Sequence, residues 1–158
     1  MKIIRGDLIA LGKQGRFDVI AHGCNCFHTM GAGLAAQVRR QFPAACDADL
    51  ATPYGDPAKL GTCSVATVAT SAGALTIANA YTQFHPSAGQ GAGTRVDVDY
   101  DAVHGAMGWL KAHYAGKRIG LPQIGAGLAG GDWNRIHDII AAQLAGEDVA
   151  IVIFDGAK

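Results

Sequence analysis

The sequence predicts an α/β fold around a mixed, mostly parallel sheet. Short β-branched apolar runs alternate with stretches of helical periodicity along most of the chain, the pattern left by strand–helix–strand units. Two such runs in the middle are separated by only a few turn-forming residues, which adds a hairpin to the sheet. Glycine accounts for 22 of the 158 residues, about twice its ordinary share of about 7%, and it gathers where elements end.

Ile3-Ile4 and then Asp18 to Gly23 form the first two strands, the second apolar and β-branched in its first half. Cys24 to Met30 is a polar loop. A helix follows from about Gly33, with Leu34, Val38 and Phe42 on one face, and Pro43 stops it. Residues 44–62 are expected to be irregular, punctuated by Pro53, Gly55, Pro57 and Gly61. Ser64–Thr70 and Leu75–Tyr81 make the hairpin around Ser71-Ala72-Gly73, and the glycine-rich His85–Thr94 reads as a mobile loop. Tyr100 to Tyr114 is helical with Val103, Met107 and Leu110 toward the core. Arg118 to Ile124 is a strand that runs into a glycine turn. Trp133 to Leu144 is the last helix, with Trp133, Ile136 and Ile140 on its core face, and Val149 to Phe154 is the closing buried strand. No boundary interrupts the pattern, so residues 1–158 are expected to form one domain.

Composition excludes several functions. Thirteen Lys and Arg balance 13 Asp and Glu without a basic cluster, so general nucleic-acid binding is not expected. Hydrophobic residues make up 49%, enough for a core without staples. No apolar run approaches the roughly 18 residues of a membrane helix, and the start, Met1 to Asp7, has no signal-peptide apolar region. Cys24, Cys26, Cys46 and Cys63 then read as reduced thiols. A cytoplasmic protein with no membrane contact is the expectation.

The informative feature is a repeated phrase. Met30-Gly31-Ala32-Gly33-Leu34-Ala35 and Ile124-Gly125-Ala126-Gly127-Leu128-Ala129 share Gly-Ala-Gly-Leu-Ala, and each is expected to follow a strand and open a helix. Helix N-termini expose N–H groups that bind anions, and glycine lets phosphate oxygens approach the main chain. One such turn suits one phosphate; two at one sheet edge suit a diphosphate. The structural alternative is that each turn packs a helix closely on a strand. Gly125 to Gly130 also matches the dinucleotide fingerprint Gly-x-Gly-x-x-Gly, but it lies too near the C-terminus for a Rossmann unit, which ranks a nicotinamide oxidoreductase last.

Taken together these segments resemble the macrodomain family. Gly6-Asp7-Leu8-Ile9 is similar to the family's Gly-Asp-Ile opening. His22-Gly23-Cys24-Asn25 followed by Met30 to Ala35 resembles its ribose segment and first phosphate loop. Ile124 to Gly130 resembles the second phosphate loop, and Val149 to Asp155 the closing strand. His22-x-Cys24-Asn25-Cys26 and Leu121-Pro122-Gln123-Ile124 are most similar to the small ADP-ribose-1″-phosphate phosphatase (Appr-1-p processing) branch. The resemblance implies a three-layer α/β/α fold binding ADP-ribose or ADP-ribose-1″-phosphate, or an ADP-ribosylated macromolecule, at the C-terminal ends of the strands, with no cofactor. It implies that Asp7 accepts from the adenine amino group beside the Leu8 main chain, that Phe154 walls the adenine, and that Asn25 holds the distal ribose. Gly31, Ala32, Gly33 and Leu34 would form one phosphate loop; Gly125, Ala126, Gly127, Leu128 and Ala129 the other. Two departures stand out: Ala129 replaces an aromatic frequent in the family, and Tyr81-Thr82-Gln83-Phe84-His85 lacks the lysine that a covalent branch uses.

Hydrolysis at the distal ribose needs an activated water and a proton for the leaving oxygen. Asp132, just after the second glycine turn, is a candidate, and equally a helix N-cap. His22, ending a buried strand, is either a base or a satisfied core histidine; His28 is a solvated loop residue; Asn25 is the catalytic-site amide. His22, Cys24, Cys26 and His28 alternate along one segment, which does not easily close a tetrahedron around zinc, and Cys24 and Cys26 read instead as small buried hydrophobes. The expected function is an ADP-ribose-binding hydrolase acting on the 1″-phosphate or an ADP-ribosyl ester, with a non-catalytic reader of ADP-ribose as the alternative.

Overall fold

The central strands are apolar on both faces, and their alternation divides the core in two. In the computed structural model, which describes residues 1–87 and 95–156, Val19 and Ala21 of β2 (Val19–Cys24) join one apolar cluster while Ile20 joins another. Ala78 and Ala80 oppose Leu75 and Ile77 in β4 (Gly73–Tyr81), and Val149 and Ile151 oppose Ala150 and Val152 in β6 (Asp148–Ile153). A parallel sheet covered on both sides requires this pattern. Helices α4 (Tyr100–Tyr114) and α5 (Trp133–Gln143) cover the first cluster through Val103, Met107, Leu110, Ile136 and Ile140. Helices α1 (Leu8–Lys13), α2 (Gly33–Gln41) and α3 (Pro43–Leu50) cover the second through Leu8, Ile9, Val38 and Ala45. The expected α/β/α layering follows.

With β1 (Lys2–Arg5), β3 (Cys63–Thr70) and β5 (Arg118–Leu121), the six strands run in the order β1-β6-β5-β2-β4-β3. All neighbouring pairs are parallel except the β3–β4 hairpin. Its turn is Ser71-Ala72, because Gly73 already pairs with Thr70.

Several elements depart from expectation. Residues 43–50 are helical, not irregular: Pro43 stops α2 and simultaneously starts α3, since its fixed φ and missing N–H suit a first helical turn. Helix α1 is too short for its periodicity to register, and the Asp7 cap defines it instead. Strand β5 ends at Leu121, because Pro122 has no N–H to extend the ladder. The second glycine turn does not open a helix directly; α5 begins only at Trp133. Of the segment expected to be mobile, residues 88–94 lie outside the described residues.

The second glycine turn is packed from behind. A strap at Asp97-Val98 donates from both backbone N–H groups to the Ala129 carbonyl. A Cβ at Gly131 would lie 2.6 Å from the Gly125 carbonyl oxygen, 2.6 Å from Val98 and 2.8 Å from Ile136. Gly131→Ala is therefore expected to cost about 1–3 kcal/mol, from overpacking against backbone that cannot yield; a urea denaturation series reads it as a lower midpoint.

Candidate ligand-binding cleft

Strands β2 and β5 pair only at Val19↔Ile119 and Ile20↔Gly120, whereas β2 pairs with β4 through to Cys24. Beyond Ile20 the two strands part. The chain leaving β2 goes to α2 and α3 on one face of the sheet, and the chain leaving β5 goes to α5 on the other. That reversal is the switch point at which open α/β sheets place ligands. A cleft of about 460 Å3 opens there, within the usual range for small-molecule sites. Its floor is His22 to Asn25. One wall is Thr29 with Gly31 to Ala35; the other is Pro122 to Gly125 with Gly127 to Ala129; Gln83, Pro86 and Ser87 close one end.

The glycines of the two walls are glycines for different reasons. Gly33 (φ 58°) and Gly125 (φ 74°) adopt left-handed backbone, and a Cβ on Gly125 would also lie 2.7 Å from Val98. Gly31 and Gly127 are neither: their φ values are not positive, and a Cβ on either would meet no atom within 4 Å. Packing does not demand glycine at these two positions. Both face the open cleft, one from each wall.

Helix α2 begins on this cleft. The side chains of Asp7, Asp99 and Asp132 cap α1, α4 and α5, but Ala32 at the start of α2 supplies no side-chain acceptor. The first N–H groups of a helix lack internal partners, so the positive end of α2 is left to whatever occupies the cleft. Among the described lining residues there is no Asp, Glu, Lys or Arg; an anion here meets backbone donors and helix dipole rather than side-chain charge.

Three polar side chains stand on the floor and first wall. The Asn25 amide donates to the Thr29 hydroxyl at 2.7 Å and its carbonyl at 3.1 Å, and its Oδ1 accepts from the Phe27 N–H at 2.8 Å. Asn25 thus shapes the loop it sits in, and Thr29, which sequence reasoning passed over, is oriented by it with its hydroxyl proton still to give. His22 is 2% exposed, with Nε2 at 2.7 Å from Asn79 Oδ1. Burial holds its pKa below the ordinary histidine value, against the opposing pull of Asn79 and Asp49, so the ring is neutral. Burial pushes the Cys24 thiol well up, which keeps it protonated and weakly nucleophilic.

The loop carrying Asn25 is fixed from beneath. The buried Lys59 ammonium donates to the Cys26 carbonyl at 3.1 Å and to Thr52 at 2.8 Å, and His28, at φ 59°, meets the Thr52 carbonyl at 2.7 Å. His28 is therefore tied to the segment after α3 rather than solvated. Sequence reasoning missed Lys59, Thr52 and Asp49 because they fall in the stretch expected to be irregular.

Not all the expected site residues line the cleft. His22, Asn25, Gly31, Ala32, Gly33, Leu34, Gly125, Gly127, Leu128 and Ala129 do; Ala126 packs on the apolar core. Asp7, Leu8 and Phe154 follow β1 and β6 at the same sheet edge but outside it. Asp7 caps α1 by accepting from Ala10 N–H, Leu8 is buried, and Phe154 is exposed. Asp132 is exposed, and its carboxylate accepts from the Asn134 N–H at 3.0 Å as the cap of α5. Asp132→Ala is expected to lower stability by about 1 kcal/mol, the usual cost of a lost cap, measurable as a shift of the thermal midpoint. Among the described residues no group of three or more His, Cys, Asp or Glu is placed to hold a metal, and no helix is long and apolar enough to cross a membrane.

A glycine-walled cleft at the switch point of an α/β/α sandwich, with the N-terminus of α2 opening into it without a side-chain cap, defines an α/β domain whose cleft offers backbone donors. No family model matches the chain. An uncharacterized 17.5 kDa protein from the tk-vs intergenic region of enterobacteria phage T4 is 37% identical over 157 residues, 96% of this chain and 95% of its own. An ADP-ribose 1″-phosphate phosphatase of Meyerozyma guilliermondii is 42% identical over 43 residues, 27% of this chain and 24% of that protein. Among solved structures, a macrodomain protein from Streptomyces coelicolor superposes with a TM-score of 0.69 at 24% identity, covering 99% of both chains. DarTG of Thermosipho africanus in complex with ADP-ribose superposes at 0.69 with 16% identity, covering all of this chain and 43% of that one. The chain has the fold of the macrodomains, and it belongs to one family with the phage T4 protein.

Proposed function

We propose that the cleft binds ADP-ribose and that the protein is a hydrolase removing the 1″-phosphate from ADP-ribose-1″-phosphate, or opening an ADP-ribosyl ester. The observation that carries the binding part is the uncapped N-terminus of α2 opening between two glycine walls: it offers a diphosphate backbone N–H groups and a helix dipole, and no side-chain acceptor competes for them. The ADP-ribose held by the Thermosipho structure and the phosphatase match over 43 residues point the same way. Asp7, Leu8 and Phe154, at the end of the same sheet edge, take the adenine in this reading, and Asn25 with Thr29 meets the distal ribose.

For the chemistry, His22 is the base. It is neutral, lies on the cleft floor and has one ring nitrogen not engaged by Asn79. Asp132 would have to abandon its cap to take part. The absence of carboxylates among the described lining residues favours the second reading, a binding module without turnover. Calorimetric titration with ADP-ribose, with AMP and NAD as controls, tests the binding. Selective heat with ADP-ribose supports it, and none at high ligand concentration assigns the glycine turns to packing. Phosphate release from ADP-ribose-1″-phosphate then separates hydrolase from reader.

A further inference from the structure

We propose that Asn79 is a positioning residue that locks His22 in the Nε2–H tautomer, so that Nδ1 is the proton-accepting atom offered to the cleft. Nothing about Asn79 was legible in the sequence. It lies on β4 directly opposite His22 in the parallel register and is fully buried on the face covered by α3. Its amide contacts decide the orientation of the side chain. Asn79 Nδ2 is 2.9 Å from the Ala45 backbone oxygen, which can only accept, so that atom must be the nitrogen. A flipped amide would set two oxygens against each other. The second amide proton goes to Ser64 Oγ at 3.0 Å. Asn79 Oδ1, 2.7 Å from His22 Nε2, is thereby left as an acceptor, and His22 Nε2 must carry a proton.

The chain of donors continues in one direction. Having accepted from Asn79, Ser64 gives its hydroxyl proton to the Tyr81 oxygen at 2.8 Å, and Tyr81 donates to the buried carboxylate of Asp49 at 2.6 Å. Each proton points from His22 toward Asp49, and both the Ala45 carbonyl and the Asp49 carboxylate are acceptors at fixed ends. Two titratable groups bear on the His22 ring: the Asp49 carboxylate, which acts on it electrostatically, and Cys24 on its own strand, whose sulfur is 3.8 Å from Nδ1 and 3.7 Å from Nε2, too far for a strong bond to either. In a neutral ring with Nε2 protonated, Nδ1 keeps its lone pair. A base needs its lone pair aimed and its other nitrogen held; the network under the sheet edge does the holding.

This inference rests on His22 serving as the base, and the test separates the two. Long-range proton–nitrogen correlation spectra of the full chain at pH 7.5 are expected to show Nε2 of His22 as the protonated nitrogen and Nδ1 as the bare one. The Nδ1–H tautomer, or a charged ring, overturns the assignment whatever the activity. Asn79→Leu is expected to lower kcat on ADP-ribose-1″-phosphate about tenfold or more by releasing the tautomer, with KM unchanged. Should Asn79→Leu fail to fold, the wild-type spectrum alone still decides. A wild-type kcat in a folded Asn79→Leu variant refutes the positioning role. Loss of turnover with His22 shown to be dispensable would instead refute the base.

Discussion

Gly127→Val is expected to abolish most ADP-ribose binding while leaving the fold intact, and Gly31→Val to do the same from the opposite wall. Neither position has the positive φ that would strain a β-branched residue, and a Cβ at either meets nothing within 4 Å. The substitution therefore adds bulk to the cleft and not to the core. An isopropyl group there blocks the approach of a phosphate to the main-chain donors of the loop. Losing two hydrogen bonds to a charged oxygen at about 1.5 kcal/mol each gives about a hundredfold weaker binding. Calorimetry supplies the affinity and a thermal melt the control. A melt indistinguishable from wild type with affinity retained would show that no phosphate lies against these glycines. Gly131→Ala behaves in the opposite way, since its cost falls on stability through Val98, Ile136 and the Gly125 carbonyl. The pair of experiments separates glycines kept for a ligand from glycines kept for packing, which the sequence shows as the same letter.

That distinction marks how far the sequence could be read. The strands and the long helices were legible because their burial is periodic: Val103, Met107 and Leu110 face the core as the spacing required, and the β2 run is buried from Val19 through Ala21 and His22. The repeat Gly-Ala-Gly-Leu-Ala located both walls of the cleft, because glycine marks the places where the chain turns at the end of an element. What could not be read were features resting on contacts distant in sequence. Asn79 meets His22 across 57 residues and Lys59 meets Cys26 across 33, and no local pattern announces either. Helix α3 was lost for a different reason. It buries only Ala45 and Asp49, so it has almost no apolar stripe, and its one signal, a proline, equally ends the helix before it. Asp132 shows the remaining limit: an aspartate before a helix and an aspartate beside a site look alike until the hydrogen bond to Asn134 is seen.

His22→Gln is expected to lower turnover of ADP-ribose-1″-phosphate by about a hundredfold or more, the usual scale of a lost general base, with ADP-ribose affinity retained. Glutamine is the informative replacement because its amide can still donate toward Asn79 Oδ1, whereas His22→Ala leaves that buried oxygen without its partner. The pH dependence carries a second signature. Burial depresses the His22 pKa from its ordinary value of 6.5, so the ring stays neutral and competent into mildly acidic solution, and the acid limb of kcat/KM falls below pH 6.5. The sign for stability follows from the same shift. The unfolded chain binds this proton more readily than the folded one, so the contribution of His22 is complete above its unfolded pKa and is lost as pH falls through its lower folded pKa. Wild type should therefore lose stability on the acid side of pH 6.5 by an increment that His22→Gln lacks, which urea unfolding at a series of pH values resolves. If His22→Gln turns over like wild type, the water is activated elsewhere. If wild type binds ADP-ribose yet releases no phosphate, the neutral cleft, with no carboxylate among its described lining residues, belongs to a reader, and the buried histidine serves only to tie β2 to β4.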